Sequence, residues 1–494
     1  MKKHNIVFNT IIHNNSENKE PIACNNTIYE DSCFKINRLW KWNADFIESD
    51  NETGFIKVFF KGKSSDFNRT CTYVTLDGKR LTDYNFDYMK SFKEGVAVIG
   101  FCGQGYGYID TAGKIVIPAK YEYAGNFNCG RAKVIKNGKL YFIDKSGNET
   151  PMETVSGKNY EEVCDFHEGL CRVSTLKLRC RDLAYHSDYE QIAGTWGYID
   201  KNYNEVIPAP YIYANDFNDG IAIVCKGKWT RDKKWDNQYK SDRYWTEEEL
   251  WGAVDKTGKE VIPCIFDEIK TFYDITNVYT AHFGGWDNGK WGVIDRNGKW
   301  VAKPIFSNIG YEYQDGLFTF YTDNEYGYDG DILFGIYDIK QQKVLFEPQF
   351  SDVNFLSNGN IHVNVYDKAL KRNIEKIIDK NGKTILSYKH ALPWEAIFCG
   401  KKLIIYNRGQ KQGLMDLDGN IITPAVYFEI RGINYPLITV CDGGKDNCFE
   451  GLIKHDGTKV IKPKYRFISW YKEKYILCSN DGECELLQYV RKDR

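Results

Sequence analysis

The stretch GTWGYIDKNYNEVIPAPYIYANDFNDG, residues 194–220, decides the fold, because the chain writes it again and again with edits. Aligned on the Asp that ends WGYID, the copies fall at Asp110, Asp144, Asp200, Asp255, Asp295, Asp338, Asp379 and Asp416, with Thr75 and Lys454 in the same slot of two weaker copies. That makes ten copies spaced 34 to 56 residues apart, the long spacings being due to insertions. Three residues beyond the anchor stands Gly in eight of the ten (Gly78, Gly113, Gly147, Gly258, Gly298, Gly382, Gly419, Gly457). Three before it stands Gly in seven (Gly107, Gly197, Gly252, Gly292, Gly335, Gly413, Gly451). Aromatics recur eleven residues after the anchor, from Phe86 and Tyr121 to Tyr465, with Phe350 one residue late, and again seventeen after it, from Phe92 and Phe127 to Tyr471.

Each column has a physical reading. D-x-x-G-K is a tight turn in which the Asp side chain accepts backbone N–H groups and Gly takes the positive φ that closes a hairpin. WGYI before it alternates like a strand, and its Gly marks a bulge or a close backbone approach. KEVIP after it is a second strand, ended by Pro. YIYANDFNDG crosses over with two aromatics pinning it to the core, and GIAIVC leads into the next copy. One repeat is thus expected to be a three-stranded meander, too small to bury its own aromatics, so that it must stack on its neighbours.

Composition agrees with strands. The 494 residues carry 35 Tyr, 28 Phe and 12 Trp, types that suit strands. With 66 basic against 67 acidic residues, no global field draws the chain toward nucleic acid or an anionic membrane. Fifteen cysteines, an odd number with no C-x-x-C pair, fit reduced thiols and a cytoplasmic location better than a disulfide framework. The apolar run near the start is broken by Asn9 and Thr10, with no small-residue cleavage site after it, so no leader is expected. No apolar run approaches the length of a membrane span.

The copies at 194–220 and GKWGVIDRNGKWVAKPIF resemble the WG-repeat family of bacterial proteins. The resemblance covers roughly residues 54–480 and is strongest at Asp110, Asp200, Asp255 and Asp295. It implies an all-β repeat protein with no shared catalytic site, of the kind that serves as an interaction surface. The expected organisation is an N-terminal cap or degenerate half-repeat over 1–53, a repeat array over 54–480, and a C-terminal cap strand and tail over 481–494. KYILCSN and ECELLQYV read as an unfinished copy at the C-terminus. Ten copies are awkward for one propeller, which typically closes with four to eight blades, so an open curved array is expected and propeller-like rings are the alternative.

Chemistry-bearing constellations are few. Cys164, His167 and Cys171 in CDFHEGLC have zinc-like spacing, but Phe166-His167-Glu168-Gly169 is the repeat's own crossover and Cys171 falls where Ala97 and Ala222 fall, so core cysteine is the reading. Asp323, Glu325, Asp329 and Asp331 do not match a calcium loop and read as a solvated turn. No phosphate loop, zincin or nucleophile-elbow motif is present. No cofactor and no catalytic residue is therefore assigned.

The informative departures are insertions at 175–193, 226–250 and 323–331, which occupy equivalent slots and are expected to project on one side. The second interleaves seven Lys/Arg with Trp229, Trp235, Tyr239, Tyr244 and Trp245, the candidate partner-binding residues. The expected function is a non-enzymatic scaffold that holds a protein partner on these loops. The alternatives are a single-stranded nucleic-acid binder through 226–250, a carbohydrate or cell-wall binder using exposed aromatics, and an enzyme that no motif betrays.

Overall fold

A computed structural model describes residues 22–60, 69–152, 160–175, 178–180, 191–193, 195–231, 244–272, 277–321, 332–356, 359–367, 372–388, 394–398, 401–416, 420–431, 436–444 and 448–492. These residues form strands and turns and contain no α-helix. The strands make small antiparallel sheets that follow one another along the chain as the blades of a closed ring of eleven. Blades 1 to 10 lie in order over residues 46–87, 88–121, 123–151, 162–211, 213–266, 268–306, 308–350, 352–388, 394–427 and 429–465.

Blades 2 to 10 have four strands each rather than the three read from the sequence, whereas blade 1 has three. In blade 5 the lead strand Ile221–Arg231 pairs with Tyr244–Asp255, which pairs with Glu260–Phe266. The additional strand, Tyr213–Ala214, is the start of the crossover and adds to the other side of the lead strand. It is only two residues long, which is why periodicity did not reveal it. The fourth strand of one blade and the first of the next are one run of chain bent at a single residue. That residue, for example Glu122, Ile212 or Asp267, donates its N–H to the carbonyl of Ile135, Cys225 or His282 on the next lead strand, at 2.8–2.9 Å.

The repeat columns do what their chemistry demands. Asp200 Oδ1 accepts from the N–H groups of Asn202 and Asn204, both at 2.8 Å, and Asp110, Asp144, Asp255, Asp295 and Asp379 accept from the same +2 and +4 positions. The weak copies share the turn: the N–H of Gly78 donates to Thr75 O and that of Gly457 to Lys454 O, as Gly113 does to Asp110 O. Gly197 sits where the ladder slips between Trp196 and Tyr198. A Cβ there would lie 2.5 Å from the carbonyl oxygen of Ile207, so only glycine admits this approach. Tyr198, two residues before its anchor, donates its hydroxyl to Asn215 O at 2.6 Å, and Tyr73 and Tyr108 do the same to Lys90 O and Gly125 O. This pin fastens the start of each following blade to the blade before it.

The core lies between blades. Tyr198 and Tyr211 of blade 4 pack with Phe217, Val224 and Val254 of blade 5 in one cluster. The described residues hold eleven such clusters, each spanning two consecutive blades. An open row of eleven sheets has ten junctions, so the eleventh cluster is the mark of closure. At about 1.5–3 kcal/mol for each large apolar side chain removed from water, these interfaces dominate the stability of a blade that has little core of its own.

Closure settles the choice between array and ring in favour of the ring. The sequence shows ten anchored copies because the eleventh blade is divided between the chain's ends. Phe467–Tyr471, Tyr475–Asn480 and Glu483–Arg491 supply its first three strands. Phe34–Trp42 adds as the fourth and Ile22–Glu30 as a fifth. The pairing runs from Phe34↔Arg491 to Trp42↔Cys484.

Candidate binding face

The order of strands sorts the connections onto two ends of each blade. Ile221, which starts a lead strand, pairs with Asp255, which ends the next. The turn before the lead strand and the anchor turn therefore share one face. Connections between the second and third strands, with the one-residue bends, share the other.

The first face is a belt of polar contacts that runs from blade to blade. Glu94 and Glu168, at positive φ in the tight turns before their lead strands, reach the corresponding turns of the following blades. Glu94 accepts from the N–H of Gly130 at 2.9 Å and Glu168 from those of Asp219 and Gly220 at 2.6 and 2.9 Å. Lys145 and Lys256, each one residue past an anchor, donate to the backbone carbonyls of the same two glutamates at 2.6 and 3.0 Å. The Lys256 ammonium, aided by those N–H groups, holds the Glu168 carboxyl below its usual range despite partial burial. Sequence reading missed this belt. Its signal is the pairing of an acidic residue before the crossover Gly with a basic residue after the anchor.

All three insertions leave on the second face. Strands 170–174 and 196–200, 221–231 and 244–255, and 317–321 and 334–338 are each a second and third strand joined by one of them. In blade 5 the two strands run on past the body of the blade as a hairpin, with Lys226↔Leu250 followed by Lys228↔Glu247 and Arg231↔Tyr244. In blade 4 the insertion contributes a separate pair, Leu178–Cys180 with Gln191–Ala193.

The five candidate partner-binding residues fall differently. Trp229 is half-buried at the base of the hairpin, its ring edge-on to Tyr213 at 5.7 Å, and Tyr213 stacks on Trp251 at 5.7 Å and 10°. Tyr244 and Trp245 lie in the returning strand, opposite Arg231 and Thr230. Trp235 and Tyr239 lie outside the described residues, as do Asp323, Glu325, Asp329 and Asp331.

A residue the sequence reading passed over lies beside them on the same face. The loop 284–289 of blade 6 carries Trp286, 63% exposed and stacked on His282 at 5.0 Å and 15°. His282 is buried, pairs with Asp267 at 3.0 Å, and Asp267 also accepts from the N–H of Gly285 at 2.9 Å. This bracing holds the loop, and GGWDNG was its sequence signal. Leu250, Phe283, Trp286, Ile332 and Leu333 are all exposed apolar side chains at these connections in blades 5, 6 and 7.

The cysteines separate into core and surface. Cys171 is buried between blades 3 and 4 and its thiol donates to Cys164 O at 3.1 Å. Burial pushes both thiols up, Cys171 well above the ordinary value. His167 lies 3.6 Å from Asp216. Among the described residues no three His, Cys, Asp or Glu side chains gather as a metal site. One pairing departs from the expectation of reduced thiols: Cys441 and Cys448 form a disulfide across the second-to-third connection of blade 10, their Cα atoms 5.8 Å apart. The two are seven residues apart and unlike a C-x-x-C pair, so spacing did not disclose them; the hairpin brings them together. No helix of the described residues is long and apolar enough to cross a membrane.

Eleven β-sheets ringed by inter-blade cores, with the last sheet shared between the chain's ends, define a closed β-propeller built from tandem repeats. The family model described as WG containing repeat matches residues 106–139, 196–235, 251–274, 291–326 and 413–445. The chain thus carries WG repeats at five places along its length. No curated protein matches it. Among solved structures, the crystal structure of a eukaryotic initiation factor is 10% identical at TM-score 0.31, covering 73% of this chain and 96% of that one. The β-propeller domain of the Trilobed protease from Pyrococcus furiosus, of open velcro topology, is 9% identical at TM-score 0.25, covering 62% and 96%.

Proposed function

We propose that this WG-repeat propeller is a non-enzymatic scaffold that holds a protein partner on the face carrying the insertions. The observation that carries the reading is the run of elaborated second-to-third connections on four consecutive blades, 4 to 7, with exposed apolar side chains at three of them. Rigid sheets presenting loops are a common binding device, and clustered exposed aromatics mark contact sites. On the opposite face the turns of blades 2 and 3, and of blades 4 and 5, are tied to one another.

The test is capture from an extract of the native host with the wild-type chain, with a variant carrying Trp286→Ala and Leu250→Ser, and with Trp235→Ala/Trp245→Ala. The reading expects a defined protein partner for the wild type, lost in both variants at unchanged melting temperature. Capture that survives both variants would sink it. Retention of single-stranded nucleic acid that weakens steeply with salt would favour the basic-aromatic hairpin as a nucleic-acid site instead.

A further inference from the structure

The two copies that lack the anchor Asp, at Thr75 and Lys454, are the two blades that flank the closing blade. Both of their turns hold the N-terminal strands. In blade 10 the turn-capping task passes to Asp456, whose Oδ1 accepts from the N–H of Thr458 at 2.9 Å. Position 454 is thereby released for Lys454, which pairs with Asp31 in the turn between strands 22–30 and 34–42. Its ammonium also lies 5.4 Å from the centre of the Phe34 ring. In blade 1 the carbonyl of Leu76, next to Thr75, accepts from Trp40 Nε1 at 3.2 Å. From the C-terminal side, Lys492 donates to Asp31 O at 2.7 Å and pairs with Glu30 at 2.6 Å.

Within the ring, consecutive blades are joined through continuous chain. The ladder of 34–42 on 483–491 is the one place in the described ring where only non-covalent bonds hold neighbouring strands of a blade that come from opposite ends of the chain. We propose that residues 22–42 are a latch, that this ladder is the seam at which the ring opens, and that Asp31–Lys454 is its lock. Opening leaves blades 2 to 9 intact, because each keeps both of its inter-blade cores. It frees the edge of strand 483–491 and uncovers the apolar side chains that Trp40 and Trp42 cover in the cluster shared with blade 1.

Charge reversal tests the lock. Hydrogen exchange of the full chain is read by mass spectrometry for the wild type, Asp31→Lys, Lys454→Asp and the double reversal. The latch expects amides of 34–42 and 483–491 to exchange at least tenfold faster in each single variant, with blades 3 to 8 unchanged, and more slowly in the double variant than in Asp31→Lys; neither of those two variants restores the bonds that Asp31 accepts from the N–H groups of Cys33 and Phe34. Lys454→Gln, which removes the charge without reversing it, carries the same comparison if the reversals do not fold. Unchanged exchange at the seam would overturn the lock. Loss of protection in all blades together would overturn the latch, and so would a double variant no better than Asp31→Lys.

Discussion

The sharpest test of the blade geometry is Gly197→Ala. The added methyl carbon would stand 2.5 Å from Ile207 O and 2.9 Å from both Ala209 N and Pro208 C, all backbone atoms that cannot swing aside as a side chain would. To reach ordinary contact the third and fourth strands of blade 4 must part by about 1 Å. That weakens the ladder on either side of the bulge, where Trp196 pairs with Tyr211 and Tyr198 with Ile207. Two ladder bonds at about 0.5–1.5 kcal/mol each, plus residual strain, give a local loss of about 2–3 kcal/mol. At 1.4 kcal/mol per factor of ten, amides of 196–200 and 205–211 should exchange roughly 30- to 150-fold faster. Exchange is the appropriate assay because a repeat ring opens locally and a melting temperature averages over all its blades. Gly444→Ala is the control: a Cβ there meets nothing within 4 Å. Equal protection of blade 4 in Gly197→Ala and wild type would refute the claim that this glycine is required by backbone approach.

Tyr198→Phe removes the hydroxyl that holds Asn215 O and should cost about 1–2 kcal/mol locally, seen as faster exchange of 213–221, with blade 6, which has Val293 at the same position, unaffected. Burial raises the Glu149 carboxyl, but hydrogen bonds from Lys120, Lys136 and Tyr121 outweigh it and hold it at about 2. A carboxyl lowered in the folded state stabilises above its ordinary pKa and loses that contribution as pH falls toward its folded value; blade 3 should therefore lose protection between pH of about 4.5 and 2, and Glu149→Gln should flatten that dependence. In the native chain, peptide mapping after thiol labelling should find exposed Cys33 and Cys102 modified and buried Cys171 and Cys478 untouched, since burial also pushes those two thiols well up. Cys441 and Cys448 should label only after reduction.

Much of a blade was legible because its information is local. The anchor turn spans five residues, the bulge glycine sits three before it, and Phe217 and Tyr211 are buried as their columns required. The additional first strand was not legible in blades 2, 3 and 5, where Tyr88–Met89, Tyr123–Ala124 and Tyr213–Ala214 are too short to show alternation. The insertions were placed in one slot from spacing alone, and the structure puts their connections on one face. Trp286 was missed because its loop is only a few residues longer than a tight turn, and its exposure depends on how Asp267 and His282 brace it.

By itself the sequence determined the repeat: its β-character, its turns and the stacking that its unburied aromatics demand, all set by contacts between residues a few positions apart. Only the tertiary structure decided that eleven blades close. Closure rests on Trp42 meeting Cys484 and on Asp31 meeting Lys454. Residues so far apart leave no periodic trace in the chain, and the small turn from each blade to the next, which brings the ends together, arises from how side chains pack between sheets.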